Sequence, residues 1–304
     1  ISHGYPGSRY MMTYLAENLA SKGYVVAAID HTESTFRDVA NFGSTLYHRA
    51  LDQEFVLEQM AQLSAGDGFF AGAINADNTA IIGYSMGGYG ALNAIGAGYN
   101  QALAGFLGPV IEPRMASNPD YSTSLDERIK AAVLFAPWGG DLSAVGAPGA
   151  AFWDAEAFAA IDIPTLWIVG SEDDIAMYDG VVNMFENSVN SERYLLTYDG
   201  ALHNVAPNPP PAEAVTLQQY ERYADPVWDE ARLNNINQHF ITAFLGRYIQ
   251  GNESFADYLE LDVEVASDGV YSVDESGNFT EEHTYWTGFA PRTASGMKWR
   301  SAAP

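Results

Sequence analysis

The chain has 304 residues, 47% of them hydrophobic and 17% charged, which is enough apolar material for one large α/β domain or two small ones. A net charge of −25, from 14 basic and 39 acidic residues, argues against a nucleic-acid partner and disfavours anionic substrates. The absence of cysteine removes disulfides, thiolate nucleophiles and cysteine zinc sites, and no apolar run is long enough to span a membrane.

In chain order, Ile1-Ser2-His3-Gly4 reads as the tail of a strand running into a functional loop, with the N-terminal strands of the sheet expected upstream. Tyr10 to Ser21 has helical spacing, with Met11, Leu15 and Leu19 on one face and a Lys22-Gly23 stop. Tyr24 to Ile29 is a continuous apolar run, as expected of a strand covered on both faces. Leu46 to Leu63 reads as a long helix carrying Leu51, Phe55 and Met60.

A strand over Ala80–Tyr84 and a helix over Met86–Ala97 follow, then strands at Ile129–Ala136, Thr165–Val169 and Arg193–Tyr198. The last long helix runs from Leu233 to Ile249. This alternation predicts a mostly parallel, doubly wound sheet across residues 1–250. Phe106–Leu125 and the proline-rich Val205–Pro226 read as loop insertions. Residues 251–304 are expected to form an acidic extension packed on that domain. Its alternating Leu259, Leu261, Val263, Val265 and its Asp268-Gly269 pair predict a β-hairpin.

Residues 83–88, GYSMGG, hold the pattern Gly83-x-Ser85-x-Gly87 between a predicted strand and a predicted helix. In that context the pattern is a nucleophile elbow, a tight turn in which backbone meets backbone at the glycines. Serine is a weak nucleophile unless an imidazole takes its proton and a carboxylate orients the imidazole. In this architecture the acid and then the histidine follow the serine, each after a strand.

Gly170-Ser171-Glu172-Asp173-Asp174 ends one strand; Asp173 is the expected acid, with Asp174 second. Of the six histidines, only His203 lies on a strand-end loop beyond the acid. Two backbone N–H groups must hold the oxyanion: Met86, after the nucleophile, and Tyr5, in the His3–Gly7 loop. Solvated acidic loops and a surface histidine are the competing reading, which the order Ser85, Asp173, His203 outweighs.

These residues resemble known families. Ser2-His3-Gly4-Tyr5-Pro6-Gly7-Ser8-Arg9, Leu19-Ala20-Ser21-Lys22-Gly23-Tyr24-Val25-Val26 and Asp30-His31 are similar to the dienelactone-hydrolase-like and platelet-activating-factor acetylhydrolase-like branch of the α/β-hydrolases. Gly83 to Gly88, Ala136-Pro137-Trp138 and Ile163-Pro164-Thr165 through Ala176 resemble the cutinase-like polyester hydrolases.

The resemblance covers residues 1–250 and implies an α/β-hydrolase fold and serine carboxylic-ester hydrolysis through an acyl-enzyme. It implies short-chain or aromatic esters as substrates, with polyesters or phthalate esters as an extension, and no cofactor or metal. It makes Trp138 an aromatic wall of the substrate site, where a core tryptophan is the alternative. Tyr5, Met86, Phe152 and Trp153 complete the expected pocket. An amidase, peptidase or acyltransferase on the same triad, or a non-catalytic protein of this fold, are the rival functions. A secreted or periplasmic setting is expected. The chain departs from the dienelactone hydrolases, which use a cysteine nucleophile, and from the disulfide-bearing polyester hydrolases.

Overall fold

A computed structural model describes residues 1–304. The first helix, α1, runs Thr13–Ala20 and buries Leu15 and Leu19. A small antiparallel ribbon, β1 Ser34–Thr35 with β2 Asp38–Val39, precedes α2, Phe42–Ala65. The latter starts earlier than its apolar spacing predicts because the Asn41 side chain accepts from Ser44 N–H at 3.3 Å. Its buried face holds Leu46, Ala50 and Leu57 but also Arg49 and Gln53, while Phe55 is exposed.

Strand β3 (Thr79–Tyr84) leads into α3 (Met86–Ala94), and a short α4 (Gln101–Leu107) opens the loop-rich insertion. Next come β4 (Ile129–Phe135), the one-turn α5 (Ala155–Phe158), β5 (Thr165–Gly170), α6 (Tyr178–Asn187) and β6 (Arg193–Tyr198). Within the proline-rich loop, Thr216 and Gln219 form a capping box that sets the one-turn α7, Leu217–Tyr220. Asp229 caps α8, Glu230–Tyr248, and β7 (Met297–Ala302) closes the chain's ordered elements.

The sheet order is β3-β4-β5-β6-β7. The first four strands pair in parallel and β7 adds antiparallel to β6. With helices packed on it, this is the α/β-hydrolase fold. Residues of β4 and β5 are almost entirely buried, which explains why these strands read as unbroken apolar runs. On the free side of β3, Ser2 bridges in parallel to both Gly83 and Ile29. That pairing brings the loop starting at His3 to the C-terminal end of the sheet, beside the end of β3.

Two expectations need correction. Tyr24–Ile29 is not a regular strand: Val25 is 48% exposed, and the segment's pairing is confined to Ile1 and Ser2, through Ile1 N to Ala27 O at 2.7 Å, Ile29 N–H to Ile1 O at 3.1 Å and the Ser2–Ile29 bridge. Two residues of partner give a single bridge and not a longer ladder. The tail does turn back on itself, but not at Asp268-Gly269, where Ala266–Asp268 is a 3-10 turn. The hairpin-like contact lies further on, with a Val273–Phe279 bridge and hydrogen bonds from Asp274 N–H to Asn278 O and from Thr280 N–H to Ser272 O, and the strand the tail adds to the sheet is β7. Trp299 on β7 is buried against Phe240 of α8, with ring centroids 4.5 Å apart, so apolar burial at the sheet edge selects this segment.

Candidate active site

Ser85 sits between β3 and α3 with φ 53 and ψ −112, a strained conformation for a residue with a side chain. The glycines around it are dictated by contact. A Cβ on Gly83 would lie 2.4 Å from the Gly87 carbonyl oxygen, and one on Gly87 would lie 2.1 Å from the Ser2 carbonyl oxygen. On Gly88 it would meet Pro137 at 2.8 Å. The Ser85 N–H donates to Phe135 O at 2.9 Å, and its carbonyl accepts from Tyr89 and Trp138 N–H. The turn is therefore held from β4 as well as from its own helix.

The loop after β5 carries Asp173, which is 4% exposed. Its Oδ1 accepts from Ile175 N–H at 2.9 Å and Ala176 N–H at 2.8 Å. Its two oxygens lie 3.0 and 2.9 Å from His203 Nδ1. Asp174 points to solvent and makes no such contact.

The loop after β6 brings His203 there because Gly170 leaves room: a Cβ at Gly170 would be 2.3 Å from the carbonyl oxygens of Ala201 and Leu202. Asp225 accepts from Leu202 N–H at 2.7 Å, and Asn237 of α8 donates to Val205 O at 2.8 Å, clamping the loop on both sides of His203. The His203 ring lies 5.2 Å from the Tyr84 ring, next to Ser85 in sequence. Ser85 Oγ and His203 Nε2 are not hydrogen-bonded to each other here, a contact that in free enzymes often tightens only with substrate.

The N–H groups of Tyr5 and Met86 donate to no acceptor in the protein. Behind them lies a buried polar network. Arg49 of α2 donates to the carbonyls of His3 and Gly4 and to Ser34 Oγ. His3 Nδ1–H donates to Gly4 O at 2.6 Å, which leaves Nε2 to accept from His31 N–H at 3.3 Å. His31 Nε2 lies 2.8 Å from Ser2 Oγ, and its Nδ1 2.7 Å from Asp52 Oδ2.

Burial, with the nearby Arg49 charge second, pushes His3 down to about 3 and His31 down to about 4, so both are neutral near pH 7. Desolvation also lowers Arg49 to about 9, still protonated at neutral pH. Arg49 and Gln53 escape a hydropathy reading because they interrupt the apolar face of α2; the interruption itself is the usable signal.

Tyr5, Phe42 and Trp138 form an aromatic run, with centroids 5.1 Å and 5.8 Å apart. Phe42 had no motif to announce it. Trp138 is 5% exposed and packs on Phe152 at 5.6 Å, so its ring joins the core cluster while its backbone braces Ser85. Trp153 stacks on Tyr99 and its indole N–H donates to Ala97 O at 2.9 Å, beyond the end of α3. A cavity of about 370 Å³ between residues 24–29 and β3, lined by Ile1, Val26, Ile81 and Leu245 among others, includes none of Ser85, Asp173 and His203.

Residues 1–105 match the family described as PETase, PET hydrolase-like. Over 211 residues the chain is 29% identical to a protein named Cutinase est2 from Thermobifida alba, an alignment covering 68% of this chain and 52% of that protein. The chain thus spans about half the length of the curated relative it matches. Both similarities agree with the resemblance to the cutinase-like polyester hydrolases read from the motifs.

Proposed function

We propose that this chain is a serine carboxylic-ester hydrolase that works through an acyl-enzyme on uncharged short-chain or aromatic esters. The observation carrying the reading is the pairing of His203 Nδ1 with the buried Asp173 carboxylate, the imidazole lying 5.2 Å from the ring of Tyr84, which precedes a serine on a strained turn. Ser85 Oγ attacks the ester carbonyl carbon while its proton passes to His203 Nε2. Asp173 fixes the tautomer and stabilises the imidazolium. The carbonyl π electrons move onto oxygen, and that oxyanion takes the free N–H groups of Tyr5 and Met86.

Collapse of the intermediate breaks the bond to the alcohol, which leaves with the proton from His203. Water, deprotonated by His203, then attacks the acyl-Ser85 ester by the same route and releases the acid.

The substrate side is supported by the aromatic run Tyr5–Phe42–Trp138 and by the acidic charge of the protein, which favours neutral esters. We extend the reading to polyesters on the strength of the likeness to PET hydrolase-like proteins and a cutinase, and with it to a setting outside the cell, where such polymers are met. Residues 1–250 are taken as the catalytic domain and 251–304 as an extension packed on it.

The test is p-nitrophenyl butyrate hydrolysis by Ser85→Ala. Loss of kcat by about 10⁴-fold or more is expected. A folded variant with undiminished turnover contradicts the mechanism.

A further inference from the structure

Arg49 is an unusual core residue. It is 1% exposed, forms no ion pair, and leaves its Nε without a partner. A buried guanidinium without a carboxylate is expensive, and stability alone would favour an apolar side chain there. Its hydrogen bonds go instead to two successive carbonyls, His3 O and Gly4 O, and to Ser34 Oγ.

The Gly4 carbonyl shares one peptide plane with Tyr5 N–H. In a trans peptide these groups point in opposite directions. The Gly4–Tyr5 bond is trans, and its carbonyl is drawn inward by Arg49 at 3.3 Å and His3 Nδ1–H at 2.6 Å. The Tyr5 N–H must then face outward, where it has no protein acceptor.

The anchor is fixed relative to the nucleophile. A Cβ on Gly90 of α3 would lie 2.8 Å from Arg49 Cβ, so α2 and α3 cross in direct backbone contact at this residue. One turn further along α2, Gln53 donates to the Gly87 carbonyl of the elbow at 2.9 Å. The same helix therefore grips the His3–Tyr5 loop and the Ser85 turn.

We propose that Arg49 is the positioning residue of the oxyanion site: it holds the His3 and Gly4 carbonyls inward so that Tyr5 N–H meets the developing oxyanion on a substrate attacked by Ser85. This rests on the ester-hydrolase reading above. Arg49 touches no reacting atom; it acts through the peptide plane it pins.

The experiment compares Arg49→Ala, Arg49→Lys and Ser85→Ala in p-nitrophenyl butyrate hydrolysis and in inhibition by butylboronic acid, which forms a tetrahedral adduct with the serine. Arg49→Ala should lose about 10²-fold in kcat, the scale of one missing oxyanion donor, with KM held within about threefold. The boronate inhibition constant should rise in proportion to the kcat loss, and added guanidinium ion should restore part of the turnover.

A folded Arg49→Ala that keeps kcat, that loses only KM, or whose boronate affinity is unmoved overturns the proposal. Should Arg49→Ala not fold, Arg49→Lys carries the same test: its point charge cannot hold both carbonyls, and wild-type kcat and boronate affinity in that variant overturn it. Persistent turnover in Ser85→Ala would instead sink the ester-hydrolase reading, whatever Arg49 does.

Discussion

Ser2, His31 and Asp52 make a continuous Ser–His–Asp chain, with 2.8 Å between hydroxyl and imidazole and 2.7 Å between imidazole and carboxylate. Ser85, His203 and Asp173 make a less complete one, closed between acid and imidazole but open between imidazole and hydroxyl. By hydrogen-bond distance the first set is the better triad. In exposure and backbone the two sets differ: Ser85 is 7% exposed. Ser2 and His31 are each 1% exposed, and Ser2 is locked in the sheet by its bonds to Ile82 and Tyr84.

Ser85, in contrast, stands at the end of its strand on a positive-φ turn, with the free Met86 N–H at the start of the next helix. The contrast teaches that a triad is defined by access, by a turn that lifts the nucleophile and by donors waiting for the oxyanion. Three groups in hydrogen-bond sequence are also a good way to hold a loop, which is what the Ser2 set does beneath His3–Tyr5.

The comparison can be broken most sharply at the two acids. Asp173→Asn should lower kcat on p-nitrophenyl butyrate by about 10⁴-fold, because the amide favours the wrong imidazole tautomer. Asp174→Asn, altering an exposed side chain with no contact to His203, should stay within about twofold. Steady-state kinetics on the pair checks this, and the reverse ranking would move the acid to Asp174.

Ser2→Ala addresses the other constellation. It removes a buried hydroxyl and leaves His31 Nε2 unpaired, so denaturant unfolding should show a loss of about 1–3 kcal/mol. Hydrolysis should remain within about tenfold of the parent, since Ser2 supports a loop and attacks nothing. Abolished turnover in a stable Ser2→Ala protein would reverse the assignment of the two sets.

How much of this was legible in the chain follows from what each residue answers to. Gly83, Gly87 and Ser85 were readable because a backbone clash leaves no alternative to glycine, and such constraints write themselves into sequence as spacing. The pairing of Asp173 with His203 was foreseeable from their order after strands β5 and β6. Arg49, Gln53 and Phe42 were not, because their roles depend on which helix crosses which loop, and no local pattern encodes that crossing. Tyr24–Ile29 has the composition of a strand, and it does pair in parallel, but only with Ile1 and Ser2. In the tail, the alternation at 259–265 was a weaker signal than the burial available to Trp299 at the edge of β6.

A smaller effect separates the buried network by pH. His3 and His31 have folded values of about 3 and about 4, below the ordinary 6.5. Between those values the unfolded chain binds more protons than the folded one, so stability rises with pH in that window. The contribution is therefore full above pH 6.5 and disappears as pH falls through about 4 and then 3. Melting temperature should drop on acidification across this range, and less steeply in His31→Gln, which carries no titrating group at that position. An unchanged slope in that variant would show that the network does not titrate as a buried unit.

The most direct measurement maps a covalent adduct. The protein is treated with a fluorophosphonate, digested, and the modified peptide is identified by mass spectrometry. The account predicts one adduct, on Ser85, absent from Ser85→Ala and retained in Ser2→Ala. An adduct on Ser2, or none on a folded protein, would contradict it.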